Sequence, residues 1–487
     1  MLRALAASII LMSTPALAAT PSVKPNIVLM MSDDQGWMET GYNGHPYLKT
    51  PVLDEMAALG LRLDRFYAAS PVCSPTRASV MTGRHANRSG CFGAGWSIRP
   101  EEVTLGKLMK DAGYRTAHFG KWHVGAIKEG SPLSPKALGF DENLSHDNFF
   151  EINPELSRNG LPAQRIEGES SEILVGEALA FAHKANGEGK PFFIIVWFGS
   201  PHSPYVASKE DSAPYAELGS ELSQRLGELA AMDRAIGTFR EGLDAMGVRP
   251  DTLLWFNSDN GITQEGIPEA QLKDLYKNAK ISGHKSQMQE GGLRVPGIIE
   301  WPSVISSPRT SSVPCVTSDI LPTLLDIIGL EHPRPERPLD GISLKELLVH
   351  GTMNERPSPI GFWGYANKSL DLQNKPWLAD ASLNEEITMT TKQKDRAKKG
   401  RSRKYYFKNY QHPSVCSNLA GPAAWIDGCY KLLKDRQGKK YSLYDLERDP
   451  GEKHDIAPEH PEKAKAMRKQ LEAWQLSVEK SLTGADY

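Results

Sequence analysis

Short apolar runs recur along the first two-thirds of the chain, and each ends in a polar cluster. "NIVLMM" (Asn26–Met31) leads into Ser32-Asp33-Asp34-Gln35, and "RTAHFG" (Arg115–Gly120) leads into Lys121-Trp122-His123. "FFIIVWF" (Phe192–Phe198) leads into Gly199-Ser200-Pro201-His202, and "TLLWFN" (Thr252–Asn257) into Ser258-Asp259-Asn260-Gly261. Continuous apolar runs of this length suit strands buried on both faces, as in parallel sheets. Between them lie stretches with helical spacing: "TPVLDEMAALGL", "EVTLGKLMKDAGY", "SSEILVGEALAFAHKA" and "LGELAAMDRAIGTFREGLDAMG". In the first of these, Thr50 stands as N-cap and Pro51 in the first turn. Strand and helix in alternation predict an α/β fold, a large and mainly parallel sheet sandwiched by helices. Such sheets bind ligands at the carboxyl ends of their strands. All four runs place their charged or imidazole groups there.

The last third reads differently. "SVPCVTSDILPTLLDIIGL" (Ser312–Leu330) predicts a helix capped near Ser318 or Asp319. Proline-rich sequence follows, as far as Pro357–Pro359, and a boundary placed there divides a catalytic unit, 19–355, from a smaller unit, 356–487. "KYYFKNY", "CYKLLKD" and "YSLYDL" read as strands of a small antiparallel sheet, and "PEKAKAMRKQLEAWQLSVEKSL" as a closing helix.

The formal net charge of −2 over 487 residues excludes the strongly basic domain of a nucleic-acid binder. The opening "MLRALAASIILMSTPALAAT" has Arg3, an apolar run and the small-x-small step Ala16-Leu17-Ala18. This is the pattern of a secretory signal, residues 1–18, cut after Ala18. The run is shorter than the ~20 residues of a spanning helix, no cysteine follows the cut to take a lipid, and no later run is long enough to span. The expectation is an exported protein, periplasmic or secreted, with no membrane span once mature. The cysteines are Cys73, Cys91, Cys315, Cys416 and Cys429. The odd count leaves at least one unpaired; Cys416 and Cys429 are a candidate disulfide, and Cys73 a candidate for chemistry.

Asp33, Asp34, Asp259 and Asn260 offer only oxygen ligands, which suit Ca²⁺ or Mg²⁺ over zinc. Either pair alone would read as caps and turn formers; at matching strand ends the two read as a metal site. Lys121, His123, His202 and Lys285, the last in "SGHKSQMQEGGLRVP", could bind an anion and move protons. In "SPVCSPTRASVMTG" (Ser70–Gly83), Pro75 fits the first turn of a helix, which puts Cys73 at or beside the N-cap and Arg77 on the same face. A helix N-terminus favours negative charge, so a depressed thiol pKa and a bound oxyanion are expected there. A thiol facing a hard cation is a chemical mismatch, which suggests that the reactive atom at position 73 is no longer sulfur.

Cys73-Ser74-Pro75-Thr76-Arg77, followed by Thr82-Gly83, resembles the signature of the type I sulfatases, an alkaline-phosphatase-like family. "NIVLMMSDDQG", "GKWHVG", "SPHSPY", "SDNG" and "GHKSQMQEGGLRVP" resemble its other blocks, in the family's order from Asn26 to Pro296. "KYSLYDLERDPGEKHDIA" resembles the closing hairpin, with His454-Asp455 where Asn-Leu is common. The resemblance implies that a formylglycine-generating enzyme converts Cys73 to formylglycine, whose hydrate is the nucleophile. It implies one Ca²⁺ held by Asp33, Asp34, position 73, Asp259 and Asn260, with Asp259 also able to take the hydrate's proton. Arg77 would steady the hydrate and the carboxylates, and Lys121, His202 and Lys285 would bind the sulfate. His202 with Lys285 would protonate the leaving alcohol, and His123 would take a proton as sulfate departs.

For the substrate, export and the loops 144–160 and 361–377 point to a sulfated carbohydrate, with His146, Asp147, Trp363 and Trp377 as candidate sugar contacts or, alternatively, as structural or merely exposed side chains. The basic run Lys392–Lys404 could steer in a polyanionic glycan. The rival readings are a formylglycine-dependent phosphonate monoester hydrolase or phosphodiesterase of the same superfamily, and a non-catalytic glycan-binding relative. A cysteine hydrolase would leave the oxygen-only cluster unexplained.

Overall fold

Ile27, Leu29 and Met31 turn to one face of their strand, Val28 and Met30 to the other, and all five are buried. Such a strand must lie inside a sheet covered on both sides. The computed structural model describes residues 24–276, 280–365, 377–401, 403–408, 410–413 and 419–487. The expected signal segment and Cys416 lie outside the described residues.

Five parallel strands form the centre of a ten-stranded sheet: β1 (Asn26–Ser32), β2 (Arg115–Lys121), β3 (Glu142–His146), β4 (Phe192–Trp197) and β5 (Thr252–Ser258). Their spatial order is β5-β1-β4-β2-β3. The edges depart from the parallel pattern. Gly297–Glu300 pairs antiparallel with β5 and leads out to Leu61–Leu63 and Arg309–Ser311, while Glu155–Arg158 and Gln164–Arg165 extend the β3 side antiparallel. The sheet is therefore mixed: its five central strands are parallel, and at one edge Arg309–Ser311 pairs parallel with Leu61–Leu63 beyond the antiparallel strand Gly297–Glu300.

Those helices are α1 (Pro51–Leu59), α2 (Cys73–Thr82), α3 (Ser170–Gly187), α4 (Ser220–Ala245) and α5 (Ile320–Ile328). Val28, Met30, Ile194, Val196 and Phe256 pack against α1, α3 and α4. Ile27, Leu29, Phe193, Ile195 and Trp255 pack against α2 and α5. Each such side chain, fully buried, is worth about 1.5–3 kcal/mol relative to exposure. Thr50 precedes α1 as expected, but its hydroxyl donates to Asp54 Oδ1 at 3.0 Å and makes no cap bond to the helix. A 3₁₀ turn, Thr317–Asp319, precedes α5, and the Asp319 carboxylate accepts from Val316 N at 2.8 Å.

The small antiparallel sheet consists of β6 (Ile360–Trp363), β7 (Ala423–Asp427), β8 (Tyr430–Lys434) and β9 (Tyr441–Asp445), in that order, closed by α6 (Pro461–Leu482). One face, with Trp363, Trp425, Leu432 and Leu443, packs on α6. The other, with Ile360, Phe362, Ala424 and Ile426, packs on Tyr67, Met288 and Leu293 of the main body. "KYYFKNY" is not one of its strands. Tyr406 and Lys408 make only single bridges, to Glu385 and Trp96, and Phe407 turns inward against the ring of His123. Among the described residues, no helix is long and apolar enough to cross a membrane.

Candidate active site

The polar clusters that follow β1, β2, β4 and β5 meet at one end of the sheet. Asp33 N donates to Ser200 O at 2.9 Å, and Asp259 N to Ser32 O at 3.1 Å, which ties three of these loops together. Asp34 is left-handed, with φ of 67°, and its amide donates to Asp259 Oδ1 at 3.1 Å. This backbone turn directs both carboxylates toward the helix that begins at Cys73. There Val72 is the N-cap and Cys73 the first helical residue.

Arg77, one turn further along α2, donates from Nε and Nη2 to Asp259 Oδ2 at 3.1 and 2.7 Å, and from Nη1 to Lys121 O at 3.1 Å. Its guanidinium lies over the Trp197 ring, 5.0 Å from the centroid. Lys121 Nζ is 2.6 Å from Asp33 Oδ2. Lys285 Nζ is 2.6 Å from Asp34 Oδ1 and 3.4 Å from His202 Nε2. Asn260 Nδ2 donates to Asp34 Oδ1 at 2.7 Å. Three carboxylates and three cations thus interleave around position 73, and apart from Lys285 all are fully buried. His202 stacks on Phe149 with centroids 4.0 Å apart, and its Nδ1 sits 2.6 Å from Ser203 O. That carbonyl can only accept, so Nδ1 carries the hydrogen and the Nε2 lone pair faces Lys285.

Burial pushes Asp259 up to about 6, with Asp33 adding to the rise. Burial also pushes Asp34 up, but the charges of Lys285, His202 and Lys121 outweigh it and hold this carboxyl well below its usual range. Burial takes His202 down to about 3, against the pull of Asp34, and takes His123 well below its usual value, helped by Lys121. The thiol of Cys73 corrects the sequence expectation. Burial pushes it up to about 11, and Lys121 and Lys285 only partly offset this. A helix N-terminus offers about half a unit charge, less than the loss of solvent around a fully buried thiolate.

Among the described residues, the buried Asp33 Oδ1 and Asn260 Oδ1 have no hydrogen-bond partner. An acceptor left in that state costs about 1–3 kcal/mol. Ligand atoms of Asp33, Asp34, Cys73 and His202 lie within 4.8 Å of one another. The unpaired oxygens and the carboxylate-rich set fit a hard divalent cation.

Over residues 25–330 the sequence matches the family model described as Sulfatase. The chain belongs to the sulfatase family. It is 32% identical to mouse (Mus musculus) N-acetylgalactosamine-6-sulfatase over 374 residues, 70% of this chain and 69% of that protein. It is 28% identical to human (Homo sapiens) arylsulfatase A over 495 residues, 94% of this chain and 89% of that one. The fold matches the crystal structure of Ps i-CgsB in complex with a neocarrahexaose, with a TM-score of 0.73, 24% identity and 93% coverage of each chain. This sulfatase is a sulfuric ester hydrolase, and its fold is that of the alkaline-phosphatase-like class.

The expected sugar contacts fare differently from the central cluster. The Asp147 carboxylate accepts from Ile127 N, Ile387 N, Thr388 N and Thr388 Oγ1 at 2.8–3.0 Å. The buried His146 ring engages the backbone of Asn148 and Met389. Both side chains are occupied by the sulfatase's own loops, the arrangement of structural residues. Trp363 donates to Ala420 O at 2.9 Å from within the core of the small sheet. Trp377 donates to Glu101 Oε1 at 3.0 Å. In the basic run, Lys394 pairs with Glu155 and Lys404 with Glu385.

Two features of the site escaped sequence reasoning. Arg225, buried in α4, donates to Asp34 O at 2.7 Å, to Pro201 O at 2.9 Å and to both oxygens of Glu39 at 2.6 Å. It clamps the loops that follow β1 and β4. The signal was an arginine between Leu222 and Leu226 on the apolar face of a helix. The second is Phe149, in a loop whose sequence gave no hint that its ring covers His202.

Proposed function

We propose that this sulfatase releases inorganic sulfate from a sulfated carbohydrate, using a formylglycine made from Cys73 and one Ca²⁺ ion. The reading rests on the ring of three carboxylates and three cations around position 73, in which Asp33 Oδ1 and Asn260 Oδ1 have no partner. Asp33, Asp34, Asp259 and Asn260, with position 73, would hold the ion. When bound, it supplies positive charge that offsets negative charge developing on neighbouring oxygens. The hydrated formylglycine supplies the nucleophilic oxygen, a hard donor in place of sulfur.

The remaining work falls to side chains. Arg77 keeps Asp259 in place through its fork. Lys121 and Lys285 each hold one carboxylate and have further N–H groups to offer to sulfate oxygens. His202, with its Nδ1 hydrogen on Ser203 O, presents Nε2 beside Lys285, so the pair can relay a proton to the leaving oxygen. His123 is neutral through burial and unpartnered at Nδ1, which suits it to accept a proton as sulfate departs.

Similarity to an N-acetylgalactosamine-6-sulfatase supports a sugar substrate. The proposal extends to maturation by a formylglycine-generating enzyme, to export after cleavage behind Ala18, and to a division into units 19–355 and 356–487. The test is a panel of sulfated mono- and oligosaccharides scored for sulfate release, alongside matched aryl sulfate and phosphonate esters. Mass spectrometry of the active protein should show position 73 converted, and Cys73→Ala should abolish turnover with the fold intact. A fully active preparation carrying only unmodified thiol would overturn the mechanism; preference for the phosphonate would overturn the substrate class.

A further inference from the structure

The turn between β8 and β9 carries Lys434, Asp435, Arg436, Lys439 and Lys440. Its one carboxylate, Asp435, also lines the groove described below, and its Oδ1 is occupied by Lys439 N at 2.8 Å; Gly438, with φ of 73°, closes the turn. Arg436, Lys439 and Lys440 are exposed, whereas Lys434 is buried. Lys434 lays its ammonium on Leu419 O. Lys440 is 3.8 Å from Asp455 and 70% exposed, a loose pair. Arg436 has no hydrogen-bond or ion-pair partner among the described residues.

This turn forms one wall of a groove of about 330 Å³, and Ser286, Gln287 and Gln289 line the groove as well. Met288 and Leu433 give the groove an apolar patch. The volume is in the range of small-molecule sites. Ser286 links the groove to the catalytic cluster. It directly follows Lys285, whose ammonium lies on Asp34, and its own amide donates to Pro71 O at 2.8 Å, two residues ahead of Cys73. Cations, amide side chains and an apolar patch together match a sugar ring that carries an anionic substituent.

Resting on the sulfatase reading above, we propose that this groove binds a second anionic sugar unit of the substrate, with Arg436 and Lys440 meeting its carboxylate or sulfate. The substrate is then a polyanionic glycan, read at two charges, the ester that is cleaved and an anion on another of its units.

The test compares three substrates: a sulfated disaccharide with a uronate, one with a second sulfate, and a small aryl sulfate. In the double variant Arg436→Ala/Lys440→Ala, KM for at least one disaccharide should rise about five- to tenfold more than KM for the aryl sulfate. The disaccharide affected identifies which anion the groove takes. Lys439→Ala, on the same turn but outside the groove, should shift neither. A calorimetric arm is independent of turnover: Cys73→Ala protein should bind the disaccharide, and the added double variant should weaken that binding by a similar factor. Equal changes for all substrates, or none in either arm, would overturn the groove. A wild-type enzyme that releases sulfate from none of them would instead overturn the functional reading, while the binding arm still reports on the groove.

Discussion

Arg77 directs two guanidinium nitrogens at one oxygen of Asp259, Oδ2, at 3.1 and 2.7 Å, and neither side chain is exposed. The other oxygen, Oδ1, is left to accept from Asp34 N at 3.1 Å. A planar fork can hold a carboxylate in this way, whereas a lysine ammonium is a point charge on a flexible stem. Arg77→Lys should therefore keep the charge and lose the orientation. Calcium affinity should fall about 10–100-fold, the range for loss of a group that orients a ligand. Calcium titration with sulfate release as a second readout checks this; an affinity within twofold of wild type would assign Arg77 no role in holding Asp259.

The 3.4 Å contact between Lys285 Nζ and His202 Nε2 leads to a leaving-group prediction. A proton donor matters most when the departing alcohol is a poor leaving group. His202→Asn should lower kcat about 10²–10⁴-fold on a sugar sulfate and much less on 4-nitrophenyl sulfate, whose phenolate leaves without help. Equal losses on both substrates would remove His202 from proton transfer and leave it a sulfate-binding role.

How much of this could be read in advance depended on burial. Buried parallel strands write continuous apolar runs, so Asp33, Lys121, His202 and Asp259 were placed at strand ends from sequence alone. Edge strands such as Leu61–Leu63 and Gln164–Arg165 are too short to leave a pattern, and the antiparallel edges were missed. "KYYFKNY" has the composition of a strand, yet its Phe407 packs on His123, a long-range contact that outranks local propensity. For Asp147 and His146 the local sequence left a sugar contact and a structural role both open. Beyond Ile127 and Asn148, their partners Ile387, Thr388 and Met389 lie some 240 positions away, a separation that no local pattern encodes.

The unpaired Asp33 Oδ1 and Asn260 Oδ1 also set an expectation for metal removal. Without a cation, Asp33, Asp34 and Asp259 face one another with only Arg77, Lys121 and Lys285 between them. Dialysis against chelator should abolish sulfate release and lower the melting temperature, and calcium should restore both. A ligand at a thousandfold excess over its Kd stabilises the folded state by about 4.1 kcal/mol. A melting temperature indifferent to calcium would count against the site.

Far from this chemistry, Asp340 joins the closing helix to the body. Its carboxylate accepts from Arg88 Nε at 2.7 Å, Arg88 Nη2 at 2.9 Å, His85 N at 2.6 Å and Trp474 Nε1 at 2.7 Å. Burial alone would push Asp340 up, but the charge and hydrogen bonds of Arg88 hold it well below its ordinary value of 3.8. A carboxyl whose folded value lies below its unfolded one stabilises the fold above the unfolded value, and loses that contribution as pH falls through the folded one. Asp340→Asn leaves Arg88 buried with no opposing charge, so stability at neutral pH should drop by about 3–5 kcal/mol. Urea midpoints for both proteins, taken from neutral pH down to about pH 2, should draw together as pH falls below 3.8, because the unfolded wild-type chain then binds a proton at Asp340 that the folded carboxylate does not. A difference that stays constant over that range would assign the stabilisation to packing around Trp474, with no share for the ion pair.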